Sequence, residues 1–546
     1  MTIEHGRRVN PWAVMAVISM GLFMTLLDLT IVNIAIPSVI DSLKASLDQV
    51  LWVLNAYSLV YAVLLITSGR LGDVFGPRNL FAAGIVVFTV ASAASGLAHD
   101  PGQLIAARAA QGLGAALIAP QGLPLMTSLW PPERRGGVFA VFGILAGLAV
   151  VAGPTLGGFI VTHFGWQWIF YVNLPVGAIT LVAAFVAVPD LRPGRQHRLD
   201  LLGVLLATTG LLGIVFGLIE GQRYDWGTVW AFITIPEIIG GGVLLLALFM
   251  LSQMLRQDRE PLLPFAVFKD RNYTMMTGVL AAMGFAILGL YLPMTIFFQS
   301  VMGLSAVDAG LTMAAQPLAM MFVSPITNGL ASRFGGKYVL IPGLILFASG
   351  AAYIDWAAHA DSARWSFLPG LIASGVGLAG TWGPLYAIAT RDLKPHLAGV
   401  ASGVLNTIQE LGAVIASATA GALLLNRLAV ALHDQAINYS TQLPEQFRGG
   451  FVDGFGAAAR GGLEVGAGQT GASVQLPPGV PAAVVVQLQQ LAHDVFTHAF
   501  VIAMRPTLLV PIVIVLLAAI ACLGVRNRPA TAHPATETPA EASSAA

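Results

Sequence analysis

Runs of about twenty apolar residues recur along almost the whole chain, and no other feature limits the possible folds so strongly. An α-helix of that length crosses the ~30 Å hydrocarbon core of a bilayer, because each residue adds 1.5 Å. Only 10% of the 546 residues are charged, against about 25% in soluble proteins. We therefore expect an all-α, polytopic membrane protein. The fourteen predicted transmembrane helices cover approximately residues 12–36, 50–69, 79–97, 102–127, 137–162, 167–188, 200–219, 230–254, 273–296, 306–328, 338–357, 366–390, 399–425 and 500–524.

The distribution of positive charge supports this number and predicts an orientation. If the N-terminus is cytoplasmic and the spans alternate, the cytoplasmic segments contain 19 of the 27 Lys and Arg residues and the outer segments contain 6. Arg108 and Arg505 lie inside spans. Because Lys and Arg accumulate in cytoplasmic loops, we expect both termini in the cytoplasm. They are residues 1–11 and a disordered tail at 526–546, which is rich in Ala, Pro, Glu and Ser.

Two short cytoplasmic loops share a sequence pattern. Residues 69–78 read GRLGDVFGPR, and residues 328–337 read NGLASRFGGK. A shift of 259 positions brings Leu71, Phe75, Gly76 and Arg78 onto Leu330, Phe334, Gly335 and Lys337. Coincidence between two glycine-rich loops is the alternative. A duplicated six-span unit explains the pattern better, because many secondary transporters consist of two repeated halves.

This repeat predicts a division of the chain into units. We expect two six-helix bundles at 12–188 and 273–525, two inserted helices at 200–254, cytoplasmic loops at 189–199 and 255–272, and an outer loop at 426–499. The end of that outer loop, Ala482–Phe500, is apolar at helical spacing and is expected to lie on the outer surface.

The fifth predicted span is unusually rich in glycine. Residues 143–158 read GILAGLAVVAGPTLGG. Gly143 and Gly147, and then Gly153 and Gly157, are four positions apart, so each pair lies on one helix face where another helix can approach closely. Pro154 has no N–H to donate and is expected to bend the helix. These features favour a helix that packs tightly and also moves.

Asp28 and Arg108 are charged residues inside predicted spans, where a charge costs at least about 2.5–3.5 kcal/mol. Asp28 lies about 24 Å along the first span, and Arg108 lies about 9 Å below the outer end of the fourth. These depths nearly coincide, so the two side chains are expected to face each other. Arg108 would hold Asp28 ionised, and its withdrawal would let burial favour the protonated carboxyl group. A fixed structural ion pair is the alternative.

Glu410 lies near the middle of the thirteenth span. It is a candidate second proton carrier or a counter-charge for cationic substrates. The alternative is a carboxylate that is hydrogen-bonded to neighbours such as Asn406. Glu237, after Pro236 in the eighth span, is expected to contribute only to packing of the inserted helices, and Arg505 is expected to extend toward the interface.

Several motifs, taken together, resemble the major facilitator superfamily, and within it the fourteen-spanner drug:proton antiporters of EmrB/QacA type. One of them lies in the glycine-rich stretch 143–158 of the fifth predicted span. The others are LLDLTIVNIAIP (26–37), GRLGDVFGPR (69–78), LIAARAAQGLGAALIAP (104–120) and WQWIFYVNLPVG (166–177). Val74 departs from the family pattern, which commonly has a basic residue there, and Glu410 occurs in NTIQELG (406–412), where the family often has glutamine.

The resemblance implies proton-driven efflux and assigns roles to two groups of residues. It implies a gating loop formed by Gly69, Asp73, Gly76 and Arg78, and an antiporter motif formed by Gly153, Pro154, Gly157 and Gly158. A carboxylate such as Asp73 can accept hydrogen bonds at the cytoplasmic end of a helix. A simple positively charged loop is the alternative for the first group.

The leading hypothesis is a secondary exporter in the cell membrane that exchanges protons for small amphipathic organic compounds, with no cofactor. A dedicated lipid, siderophore or antibiotic exporter is the alternative, and uptake by symport is less favoured. No GxxxxGK[ST] motif for ATP occurs, and the balanced charge gives no sign of nucleic-acid binding. The histidines are scattered, which argues against a membrane enzyme or a metal site. A sensor would show no substrate flux.

Overall fold

The structure, a computed structural model, confirms an almost entirely helical chain. It describes residues 3–4, 7–45, 47–190, 200–221, 224, 226–230, 232–257, 261–394, 397–460 and 482–526. Within these residues the strands form two short antiparallel hairpins, Ile3–Glu4 with Arg7–Arg8 and Thr228–Trp230 with Ile233–Thr234. The predicted tail at 526–546 lies outside the described residues apart from Arg526.

The helices follow one another with short connections. The first half contains α1 (Pro11–Leu43), α2 (Leu47–Phe75), α3 (Pro77–Gly96), α4 (Pro101–Ile118), α5 (Gly122–Leu129), α6 (Pro132–Phe164), α7 (Trp168–Tyr171) and α8 (Asn173–Ala187). Two helices follow, α9 (Leu201–Glu220) and α10 (Ile235–Leu255). The second half contains α11 (Arg271–Ile296), α12 (Ala306–Met313), α13 (Ala315–Phe334), α14 (Gly336–Ala357), α15 (Leu368–Thr390), α16 (Ala398–Ser440), α17 (Glu445–Arg460) and α18 (Ala482–Ala521).

Twelve helical segments of the described chain are long and apolar enough to cross a membrane. The predicted fourth and fifth spans fall on α4–α5 and α6, which are not among these twelve. A 3₁₀ turn, Ala119–Gln121, separates α4 from α5. The number fourteen therefore stays a prediction.

The repeat in the sequence has a counterpart in the backbone. Gly76 ends α2 with φ +88° and ψ 136°, and Gly335 ends α13 with φ +99° and ψ 138°. Each glycine N–H donates to a carbonyl four residues earlier, at 2.9 Å in both loops. A positive φ favours glycine, so the two equivalent positions have the same conformational reason for their glycine.

The inserted helices α9 and α10 pack on each other, and α9 packs on both α2 and α16. Leu211 and Val215 of α9 are buried against Leu59 and Val63 of α2. This position brings the inserted pair into contact with both halves of the molecule.

The predicted outer loop at 426–499 is largely helical where the structure describes it. Helix α16 continues to Ser440, and Phe451 and Phe455 of α17 are buried together with Leu488 and Val495 of α18. The expectation of a surface helix at Ala482–Phe500 was wrong: the segment is helical but continues without a break into the last span. Its apolar face is buried by the neighbouring helices instead.

Candidate functional site

Asp28 of α1 and Arg108 of α4 form an ion pair inside the N-terminal bundle. Arg108 Nη1 contacts Asp28 Oδ2, and the two side chains are 1% and 0% exposed. The structure thus brings together the two residues whose predicted depths coincide. A buried pair is tolerated only if its remaining donors and acceptors are satisfied, so the surrounding contacts decide what it can do.

Amide side chains complete the coordination of Asp28. Gln111 Nε2 donates to Asp28 Oδ1 at 2.8 Å, and Asn173 Nδ2 donates to the same oxygen at 3.2 Å. Arg108 Nη1 donates to Gln111 Oε1 at 2.8 Å. The hydroxyl of Ser92 accepts from both amides, at 3.0 Å and 2.9 Å. Four helices, α1, α3, α4 and α8, therefore contribute to one buried polar network.

Arg108 also reaches α2. Its Nε donates to the carbonyl of Val53 at 3.2 Å, and its Cζ lies 4.5 Å from the centre of the Tyr57 ring. A guanidinium at this distance is attracted to the face of an aromatic ring. Movement of Arg108 would therefore disturb Tyr57, which is fully buried.

The sequence motifs did not indicate that Asn173, Ser92 and Tyr57 belong to this network. Asn173 and Ser92 are polar residues in apolar spans, which is the signal that could have identified them. Tyr57 gives no such signal, because an aromatic side chain in a span ordinarily packs against neighbouring helices.

Glu410 of α16 is not hydrogen-bonded to the Asp28 network and lies near a cluster of rings from both halves of the molecule. It interacts electrostatically with Tyr61, whose ring stacks 6.1 Å from that of Tyr57. Tyr61 also interacts with Tyr386, which stacks 6.2 Å from Trp382. We call Tyr57, Tyr61, Trp382 and Tyr386 the central aromatic cluster.

The predicted alternative for Glu410, a hydrogen bond with Asn406, is not what the structure shows. Asn406 Nδ2 donates to the carbonyl of Ser402 at 2.9 Å. Within the described residues, Glu410 makes no hydrogen bond or ion pair. Among all the residues that the structure describes, no group of three or more His, Cys, Asp or Glu side chains could hold a metal ion.

The predicted gating loop joins the two halves where α2 ends and α16 begins. The backbone N–H of Val400, in the first turn of α16, donates to Asp73 Oδ2 at 3.2 Å. The first turn of a helix favours a negative charge. A side-chain carbon at Gly69 would lie 2.6 Å from the carbonyl oxygen of Gly399, so glycine allows α2 and α16 to touch.

Arg78 follows the turn at Gly76 and pairs within its own half. Its Nη2 lies 2.9 Å from Asp190 Oδ2, which follows the end of α8. Within the gating loop, Gly69 and Asp73 therefore contact the other half of the molecule, whereas Arg78 contacts its own half.

The predicted antiporter motif lines the contact between α6 and α1. A side-chain carbon at Gly153 would lie 2.2 Å from Thr30 Oγ1, and one at Gly157 would lie 2.8 Å from Ile31 Cγ1. Gly158 faces the other half, where the same carbon would lie 3.5 Å from Val307 of α12. The side chain of Pro154 lies outside the described part, so its predicted bend stays a prediction.

The expected packing role of Glu237 was wrong. Glu237 forms a capping box with Thr234 at the start of α10: its Oε2 accepts from the Thr234 N–H at 2.8 Å. It is exposed. The carboxylate satisfies free N–H groups at the helix end instead of lying inside the pair.

Comparison with known proteins covers most of the chain. The sequence profile of the Major Facilitator Superfamily matches residues 18–417. An uncharacterised MFS-type transporter of Mycobacterium tuberculosis is 40% identical over 421 residues, covering 77% of this chain and 71% of that protein. The tetracenomycin C resistance and export protein of Streptomyces glaucescens is 32% identical over 428 residues, covering 78% of both chains.

The fold is similar to that of a solved transporter. The proton:xylose symporter XylE superimposes with a TM-score of 0.55 over 82% of this chain and 94% of the other, at 15% sequence identity. At this identity the similarity concerns the arrangement of the helices alone.

Proposed function

The chain belongs to the Major Facilitator Superfamily, and from this premise we propose that it is a secondary exporter that exchanges protons for small amphipathic organic compounds by alternating access. The family prediction made from the motifs is confirmed. Family and fold point to a multi-pass membrane transporter rather than an enzyme. The export direction is supported by the relative named for resistance and export of an antibiotic.

The observation that carries this proposal is the buried network around Asp28. A carboxylate with no solvent exposure changes its protonation only if its partners move, because an unpaired charge in this environment is costly. Arg108, Gln111 and Asn173 all donate to the ionised form of Asp28 or hold its partner. Proton binding on Asp28 and release of Arg108 are therefore expected to occur together.

The contacts of Arg108 provide a route from this network to the substrate. Release of Arg108 would remove the cation from the face of Tyr57, which stacks on Tyr61 beside Glu410. We assign the central aromatic cluster and Glu410 to the organic substrate, because ring faces bind both apolar and cationic compounds. The proton on Asp28 and the organic substrate then exclude each other through Tyr57 and Tyr61, although they bind at different sites.

The gating contacts supply the two closed ends that alternating access requires. On the cytoplasmic side, Asp73 accepts from the start of α16; on the outer side, Gly158 of α6 faces Val307 of α12. We propose that the first contact breaks when the protein opens inward and the second when it opens outward. We propose that the protein lies in the cell membrane with both termini in the cytoplasm and that a proton gradient, without a cofactor, drives transport.

Proton release from proteoliposomes with an imposed pH gradient tests the coupling. Ethidium should evoke proton movement in the wild type and in the matched control Asp453→Asn, whose carboxylate is exposed on α17. Asp28→Asn should abolish the movement, because the buried network then has no proton acceptor. Movement that survives in Asp28→Asn and disappears in Glu410→Gln would transfer the carrier role to Glu410.

A dedicated exporter is the second candidate, favoured by the relative that is named for a single antibiotic. A panel of lipophilic cations and neutral drugs separates the two functions. Several unrelated compounds should evoke proton movement if the central aromatic cluster accepts them by stacking. A response to one chemical class alone would establish the dedicated exporter, and no response to any compound would contradict drug export.

A further inference from the structure

A second acid–arginine couple lies at the edge of the C-terminal half: Asp355 on α14 and Arg505 on α18. These two helices pack on each other, and Lys337 Nζ joins their cytoplasmic ends by donating to the Leu523 carbonyl at 2.6 Å. Asp355 lies 18 residues after Lys337, and Arg505 lies 18 residues before Leu523. Both are therefore about 27 Å from the same contact, close to the outer boundary of a ~30 Å core.

Aromatic side chains mark the same level. The rings of Tyr353 and Trp356 are 5.5 Å apart on α14, and Trp356 is 69% exposed. Trp365, before α15, is 65% exposed. Trp and Tyr concentrate where a membrane protein meets the headgroup region, so Asp355 and Arg505 lie at the depth of the lipid headgroups.

The couple is open. Asp355 and Arg505 interact electrostatically, but no hydrogen bond or ion pair joins them or connects either to another described residue. Asp355 Oδ1 is buried and receives no hydrogen bond within the described chain, whereas Arg505 is exposed. A buried polar atom without a partner costs free energy, so a ligand that satisfies both charges would be bound favourably.

We propose that Asp355 and Arg505 bind the headgroup of an amine-bearing zwitterionic phospholipid, of the phosphatidylethanolamine type, in the outer leaflet. The lipid ammonium donates to Asp355, and the lipid phosphate accepts from the guanidinium of Arg505, which is suited to phosphate. The ammonium and the phosphate of the headgroup are opposite in sign to Asp355 and Arg505, respectively. A choline headgroup has no N–H to donate, and a phosphoglycerol headgroup has no cation.

Lipid retained by the purified full-length protein tests this site. The protein is equilibrated with equal amounts of ethanolamine and choline phospholipid of the same acyl chains, and bound lipid is counted by native mass spectrometry. The wild type should retain the ethanolamine lipid about tenfold over the choline lipid, the ratio that one charge-assisted hydrogen bond supplies. Asp355→Asn should bring the ratio close to one, and Arg505→Gln should reduce retention of both lipids.

Leu509→Asn is the matched control, since Leu509 is exposed one turn from Arg505 and carries no charge. It should retain lipid as the wild type does. An unchanged ratio in Asp355→Asn, or a wild type that does not discriminate, would overturn the proposal and leave a solvated ion couple.

A methylation series keeps the test independent of the variants' folding. Wild-type retention should fall stepwise as the lipid amine acquires one, two and three methyl groups, because each methyl group removes an N–H. Soluble glycerophosphoethanolamine at the same concentration should not displace the lipid. Displacement would show that the free headgroup, and not the lipid, is the ligand, and a flat methylation series would contradict the role of Asp355.

Discussion

The two acid–arginine couples, Asp28 with Arg108 and Asp355 with Arg505, have opposite surroundings. Asp28 and Arg108 are fully buried and touch, and the amides of Gln111 and Asn173 donate to Asp28. Asp355 and Arg505 lie at the periphery and do not touch. The difference teaches that a couple inside the bundle must be satisfied by the protein, whereas one that faces lipid can be completed from outside.

The helix scaffold around the couples is duplicated, although the charges are not. A side-chain carbon at Gly114 would lie 2.5 Å from the Phe88 nitrogen, and one at Gly377 would lie 2.4 Å from the Phe347 nitrogen. Phe88 and Phe347 are 259 positions apart, as in the loop repeat. Counting six residues back from each glycine gives Arg108 in the first half and Leu371 in the second. The same packing thus surrounds a charge in one half and an apolar residue in the other.

Removal of the arginine from each couple is expected to show the largest contrast. Arg108→Ala leaves a buried carboxylate without its counter-charge, so we expect a loss of about 3–5 kcal/mol of stability and no proton-coupled transport. Arg505→Ala should cost about 0–1 kcal/mol, as for an exposed pair. Thermal unfolding in detergent and ethidium-evoked proton release measure the two effects. Similar losses of stability in both variants would contradict the expectation that the buried couple contributes more than the exposed one.

A smaller effect should follow from adding a side-chain carbon to the close helix contact beside Asp28. Gly153→Ala places a carbon against Thr30, two residues from Asp28, and overpacking of this kind costs about 1–3 kcal/mol. Gly158→Ala, with 3.5 Å to its nearest neighbour, should remain near wild type. Apparent melting temperature and transport rate are the measurements. If Gly158→Ala were the more damaging change, the contact with α12 would be tighter than the contact with α1.

The smallest effect concerns the acid–arginine pair Asp200 and Arg256, which lies where α9 begins and α10 ends, with 3.2 Å between Arg256 Nη1 and Asp200 Oδ1. Burial alone would raise the pKa of Asp200, but hydrogen bonds from Gln253 and the Gly203 N–H, together with the charge of Arg256, hold that pKa below its ordinary 3.8. The ionised form therefore stabilises the folded state above pH 3.8, and this contribution is lost as the pH falls toward the lowered value.

Asp200→Asn should reduce the dependence of the melting temperature on pH between about pH 5 and pH 3. Asparagine still caps a helix, so the loss at neutral pH should be at most about 1 kcal/mol. Equal pH profiles for the variant and the wild type would contradict the contribution of this carboxylate. The same profile recorded for Asp453→Asn serves as the control.

Much of the fold followed from the sequence, because it depends on single-residue properties. Runs of apolar residues predicted the helices, and depth along two helices was enough to pair Asp28 with Arg108. Glu237 was misplaced, because the capping box depends on where the helix starts, which hydropathy does not resolve. The segment Ala482–Phe500 was recognised as helical, but its partners, Phe451 and Phe455, lie about 40 residues away in the chain.

The sequence by itself determined that this is a helical membrane transporter of a known superfamily with carboxylates in its spans, since insertion into a bilayer acts on each segment separately. Tertiary structure alone decided which charge is satisfied and which is open. Asn173 and Tyr57 join Asp28 and Arg108 only because α8 and α2 pack beside them, and Asp355 lies near Arg505 only because α14 packs against α18. Such packing depends on contacts between distant segments, which local composition does not encode.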